Sequence, residues 1–180
     1  MNLTAGQETA IQSIRDLQKQ FPDGGGVGVI NGYAGVGKTT LIQVLVDEFN
    51  GKLLVVTPTG KAAVRVREAA GAEAKTIHSW AYNTEEDTET GKLEFSLQDL
   101  NSIERPGCGF LVVDEASMVG LDVFKDLYKR CVDLNLNLIL IGDGFQLPPV
   151  EFDAQKKAFS VIAPEFPANF KVQLTEILRQ

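Results

Sequence analysis

The sequence predicts an α/β fold, a parallel sheet with helices on both faces, and three observations carry that prediction. Apolar runs at residues 27–31 (VGVIN), 52–57 (KLLVVT), 110–113 (FLVV) and 137–141 (NLILI) are continuous rather than alternating, as expected of strands covered on both sides. Segments with the spacing of amphipathic helices separate them. A glycine-rich run, GYAGVGKTT at residues 32–40, leads from the first strand into a helical pattern. In sheets of this kind, ligand-binding loops gather at the carboxyl ends of the strands.

In chain order, residues 4–20 read as a helix with Ile11, Ile14 and Leu17 on one face. The strand at 27–31 is followed by a helix over 39–50, where Leu41, Val44, Leu45 and Phe49 keep helical spacing and Gly51 supplies a stop. The strand at 52–57 precedes a helix over 60–70. Residues 83–105 differ: a polar, acidic stretch (NTEEDTETG) gives way to strand-like alternation at 92–97, which reads as a small β-hairpin insertion outside the main sheet. The strand at 110–113 leads to a helix over 119–133, whose Val123, Phe124, Leu127, Tyr128 and Cys131 share one face. The strand at 137–141 follows, and no internal repeat is visible.

A chain of 180 residues with 44% hydrophobic content is long enough for one α/β domain with a core, and two would be crowded. A formal charge of −7 argues against a protein that holds nucleic acid by bulk electrostatics. Lys61, Arg65 and Arg67 could form a local basic strip or an ordinary solvated helix face. Cys108 and Cys131 lack CxxC spacing and His78 is the only histidine, which excludes a structural zinc site and makes reduced, cytosolic thiols the default. No apolar run approaches the ~20 residues of a membrane span and no signal-peptide core opens the chain, so a soluble, cytoplasmic protein is expected.

The run at 32–40 fits G-x-x-x-x-G-K-[ST], the signature of a P-loop NTPase. Gly32, Gly35, Val36 and Gly37 let successive backbone N–H groups turn toward one point, Lys38 adds a charge, and Thr39 and Thr40 open a helix whose N-terminus favours an anion. A nucleoside triphosphate is the ligand this cradle fits. Asp114 and Glu115 end the strand at 110–113: Asp114 can hold Mg2+, directly or through water, and Glu115 can orient and deprotonate the water that attacks the γ-phosphate. Gln146 lies in a loop stiffened by Pro148 and Pro149 and could sense the γ-phosphate, although by composition alone the segment is only a loop with a rigid exit.

Two further segments have double readings. Thr4 and Gln7 have the spacing of a capping box, while the Gln7 amide could instead read the edge of adenine. TPTGKAA at 57–63 and TIHSW at 76–80 offer hydroxyls, backbone amides, Lys61 and flat rings to a single strand; equally, Thr59 is a helix cap and His78 or Trp80 a core position.

Taken in order, LTAGQ (3–7), GYAGVGKTT (32–40), TPTGKAA (57–63), TIHSW (76–80), VVDEASM (112–118), GDGFQLPPV (142–150) and LTEILRQ (174–180) resemble the superfamily 1 DNA helicases of the RecD and Dda type, which translocate 5′ to 3′ along single-stranded DNA. The resemblance implies a RecA-like ATPase domain that uses ATP and Mg2+. Gln7 would contact adenine, Lys38 the β- and γ-phosphates, Thr39 and Asp114 the Mg2+, Glu115 the catalytic water, and Gln146 and Arg179 the γ-phosphate. Pro58, Thr59, Lys61, His78 and Trp80 would lie along the DNA path. Residues 83–105 occupy the place of the family's pin hairpin, where Phe95 is the one ring in the segment: it either stacks on a base or anchors the hairpin.

Family members continue past the last of these motifs into a second RecA-like domain, whereas this chain stops at Gln180. The expectation is therefore the N-terminal motor domain of a larger helicase, partnered by single-stranded DNA and by that missing domain, weakly active or inactive alone; proteins of replication or recombination could join it. An alternative is a non-motor ATP-binding module that recruits a protein partner, although such a module leaves Glu115 beside Asp114 unexplained. A small-molecule kinase lacks a visible lid, and a guanine-specific switch lacks an NKxD-type segment.

Overall fold

The computed structural model describes residues 2–49, 52–86, 91–103, 109–144 and 160–176. Its elements run α1 (Ala5–Gln20), β1 (Val27–Gly32), α2 (Lys38–Glu48), β2 (Leu53–Thr57), α3 (Gly60–Ala70), β3 (Ala74–Thr76), α4 (Ile77–Ala81), β4 (Tyr82–Glu86), β5 (Leu93–Leu97), β6 (Phe110–Val113), α5 (Leu121–Asp133), β7 (Asn137–Gly142) and β8 (Phe170–Leu174). Six strands form one sheet in the order β3-β2-β6-β7-β1-β8, and every neighbouring pair is parallel.

The continuous apolar runs are continuous because both sides of each strand are covered. Ile30, Val55, Val112, Ile139 and Ile141 pack with Ile14, Leu41, Leu45 and Val66, so α1, α2 and α3 cover one face. The alternate residues Val29, Val56, Leu111, Leu138 and Leu140 pack with Ile77, Trp80, Leu127 and Cys131, so α4 and α5 cover the other. Burial also pushes the Cys131 thiol up, which keeps it neutral and inert.

Two strands in the sheet escape the sequence pattern. Three-residue β3 pairs with the end of β2, and β8, whose residues alternate in burial, pairs with β1 at the other edge. Close approach at that edge requires a glycine: a Cβ on Gly28 would sit 2.3 Å from the Phe170 ring. The expected insertion is present as an antiparallel hairpin, β4 with β5, beginning one residue earlier than read and pairing Tyr82 with Leu97 and Glu86 with Leu93. Among the described residues, no helix is long and apolar enough to cross a membrane.

The register brings three carboxyl ends together. Asn31 of β1 lies beside Gly142 of β7, and Val113 of β6 beside Leu140 of β7. The loops that leave these strands therefore share one rim of the sheet, and the candidate chemistry sits there.

Candidate functional site

The loop between β1 and α2 is held open from beneath. Val36 is buried while Tyr33, Ala34 and Gly35 stand at the surface. Gly35 and Gly37 both have φ near +83°, a conformation that side chains with a Cβ rarely adopt. Gly32 is needed for space, since a Cβ there would lie 2.6 Å from Val36 Cγ2. Lys38 Nζ donates to the carbonyls of Gly32 (2.7 Å) and Tyr33 (2.9 Å), spanning the mouth of the loop. Helix α2 starts from Gly37 with no side-chain cap and no acidic residue in its first turn. Its first N–H groups are thus turned to the loop with nothing in the helix to satisfy them, an arrangement that suits an anion.

Ala34, Gly35, Lys38, Thr39, Arg65, Asp114 and Glu115 line one cleft of about 200 Å³. Burial raises the Asp114 carboxyl above its ordinary range against the opposing hydrogen bond from the Glu115 backbone; the Glu115 charge adds to the rise, and Lys38 and Arg65 oppose it. Burial also lowers Lys38, opposed by the charges of Asp143, Asp114 and Glu115. Each shift records a charge that the protein has partly desolvated and only partly compensated. A phosphate with a divalent cation would supply both counter-charges. No group of three or more His, Cys, Asp or Glu stands together among the described residues. Asp114 and the Thr39 hydroxyl line this cleft together and are the groups that could hold Mg2+, with phosphate oxygens and water completing the shell.

Glu115 takes φ +55°, a left-handed conformation unusual for a residue with a side chain, at the point where β6 turns into a short 3-10 segment, Ala116–Met118. Its Oε1 accepts from Arg65 Nη1 at 2.9 Å. Arg65, read as part of a basic strip or of a solvated helix face, also lines this cleft. Asp143 is the second residue that sequence reasoning passed over: it is buried at the end of β7, as Asp114 is at the end of β6. That shared position after a buried strand was the available signal.

Gln7 is fully buried. Its Oε1 accepts from Thr4 N and its backbone N–H donates to Thr4 Oγ1, the capping box of α1. Its Nε2 donates to the Gly37 carbonyl at 3.1 Å. The amide therefore bonds the backbone of the phosphate loop, and the capping-box reading of Thr4 and Gln7 holds.

A second cleft of about 220 Å³ adjoins, lined by Pro58, Thr59, Ile77, His78, Met118, Val119, Gly120 and Val123. Thr59 caps α3 by accepting from Ala62 N, as its helix-cap reading expects. His78 is exposed and stacks on Tyr82 (centroids 5.3 Å apart), and it meets the Phe95 ring edge to face with centroids 5.2 Å apart. Phe95 keeps half of its surface exposed on β5 while touching His78, so the hairpin and this cleft are joined. Lys61 is exposed on the first turn of α3. Trp80 is the exception: it is 2% exposed in the core beneath α4, and its ring offers no face to a base. Gln146, Arg179 and Cys108 lie outside the described residues.

A family model described as an AAA domain matches residues 2–180. The chain is 32% identical over 155 residues to the ATP-dependent RecD2 DNA helicase of Deinococcus radiodurans, covering 84% of this chain and 19% of that protein. It is 30% identical over 184 residues to the ATP-dependent DNA helicase dda of Enterobacteria phage T4, covering 99% and 40%. Among solved structures, Pif1 helicase from Bacteroides in complex with ADP-AlF3 and ssDNA superposes on all of this chain and 43% of its own, with TM-score 0.63 and 26% identity. The chain thus spans less than half of each of these proteins.

Proposed function

On the premise that this chain belongs to the AAA domain family, in the superfamily 1 helicase branch of RecD2, dda and Pif1, we propose that it is the ATP-hydrolysing first motor domain of a helicase that tracks single-stranded DNA from 5′ to 3′. The observation that carries the reading is the meeting of Lys38, Thr39, Asp114 and Glu115 in one cleft, on loops from two strands of one sheet. The nucleotide-bound and DNA-bound Pif1 structure of the same fold supports both ligands.

In this reading the open N–H groups of α2 and the Lys38 ammonium receive the β- and γ-phosphates. Thr39 and Asp114 hold Mg2+, which supplies compensation for phosphate charge. Glu115 orients the attacking water and takes its proton. Gln146 and Arg179 complete the γ-phosphate contacts. Pro58, Thr59, Lys61 and His78 take the strand, and Phe95 extends that track onto the hairpin, which acts as the pin. Gln7 stiffens the loop through Gly37. A second RecA-like domain closes over the nucleotide, and opening and closing of the pair moves the strand. The setting is cytoplasmic.

The deciding experiment is ATP turnover of the full-length protein carrying this chain, with and without a single-stranded oligonucleotide, beside a Glu115→Gln variant. Turnover that rises with DNA and is lost in the variant is expected. Nucleotide binding without any turnover would reject the motor and leave the ATP-binding module.

A further inference from the structure

Two segments each line both clefts, and an ion pair joins them. Helix α3 and its cap contribute Thr59 to the second cleft and Arg65 to the first. The turn after β6 contributes Glu115 to the first cleft and Met118 and Val119 to the second. The turn is short and tied to itself: Met118 N donates to the Glu115 carbonyl at 3.0 Å, and Val119 N to Ala116 O at 3.0 Å. On the other side, α3 is seated on the core by Ala62, Ala63, Val66 and Ala70, so its exposed face moves with the helix. Lys61 and Arg65 share that face at four-residue spacing. The bond from Arg65 Nη1 to Glu115 Oε1, both of which line the nucleotide cleft, ties these two segments together.

We infer that Arg65 is a positioning residue that keeps the Glu115 carboxylate turned from the attacking water until a single strand occupies the adjoining cleft. The inference rests on the motor reading above and adds a regulatory step to it. While Oε1 accepts from the guanidinium, that oxygen is committed to a cation on α3. Phosphates at Thr59 and Lys61 pull on the head of the same helix, and a base against His78 and Met118 presses on the turn that carries Glu115. Either displacement lengthens the pair. The Arg65 side chain is 64% exposed, and an ion pair so open to water is held weakly enough for ligand binding to break it.

The test uses the full-length protein, with ATP turnover measured against ATP concentration in the absence and presence of oligo(dT), and oligo(dT) affinity followed by fluorescence anisotropy. Arg65→Gln is expected to raise DNA-free kcat several-fold toward the stimulated value, so that the stimulation ratio falls toward one, while KM for ATP and oligo(dT) affinity stay within about twofold. Arg65→Lys, which keeps a charge but not the forked geometry, is expected to restore part of the ratio. An unchanged ratio in Arg65→Gln overturns the inference, and so does an equal loss of turnover with and without DNA, which would place Arg65 in support of the site itself. A wild-type protein with no DNA-stimulated turnover rejects the motor reading first, and the inference falls with it.

Discussion

Gln7 Nε2 donates to the Gly37 carbonyl at 3.1 Å, joining the cap of α1 to the residue from which α2 starts. One amide thus closes the capping box with Thr4 and steadies the phosphate loop. Gln7→Ala removes both, at a cost of about 1–2 kcal/mol when the half-buried Gly37 carbonyl and Thr4 N–H lose their partner. Nucleotide affinity is expected to fall as well, although the side chain does not line the phosphate cleft. Melting temperature and titration with a fluorescent ADP check the pair. A variant of wild-type stability that loses discrimination between ATP and GTP would instead show Gln7 reading the base.

Lys38 spends its ammonium on the Gly32 and Tyr33 carbonyls, and burial holds its pKa down. Lys38→Ala is therefore expected to leave the fold near wild-type stability while weakening nucleotide binding about a hundredfold, as for the loss of one or two charge-assisted hydrogen bonds. Thermal melts without ligand and isothermal titration with ADP and ATP separate the two effects. Equal affinity in the variant would remove Lys38 from the phosphate site.

What could be read from the sequence was what the sheet buries on both sides. The segments at 27–31, 52–57, 110–113 and 137–141 announced themselves because neither face of those strands meets water. Edge strand β8 (FKVQL) alternates in burial with Lys171 and Gln173 more exposed, and three-residue β3 is too short for any period to appear. The P-loop was legible because its chemistry is contiguous. Arg65 on Glu115 was not, because the two residues are fifty positions apart and no spacing rule spans that distance. Trp80 kept two readings, DNA strand or core, for a related reason: α4 has five residues, too few to show which side faces the core.

Asp114 ties stability to pH. Burial raises its carboxyl above the ordinary range, so ionised Asp114 costs the folded, ligand-free protein some stability. Below about pH 4 the group is protonated in both states and the cost vanishes; it grows as pH rises through the ordinary range and is complete above the raised folded value. Asp114→Asn is then expected to raise Tm at about pH 7, by about 2–4 °C for each kcal/mol regained, and to raise it much less near pH 4. The same change should weaken nucleotide binding specifically when Mg2+ is present. Melts at the two pH values decide the matter, and an equal gain at both would show that the charge is not its source.

His78 and Trp80 lie two positions apart and on opposite sides of α4, one exposed against Tyr82 and Phe95, the other in the core. Removing each ring should therefore fail in a different assay. His78→Ala is expected to keep the melting temperature within a few degrees and to lower oligo(dT) affinity by about tenfold, the loss of one stacked base at about 1–3 kcal/mol. Trp80→Ala opens a cavity under the helix and should cost about 3–5 kcal/mol of stability, enough to threaten folding. The milder Trp80→Phe keeps most of the packing and provides the discriminating measurement: its folded protein should bind oligo(dT) as wild type does. If Trp80→Phe weakened DNA binding as far as His78→Ala while melting normally, the ring would have to reach the strand, and its place in the core could not describe the DNA-bound form.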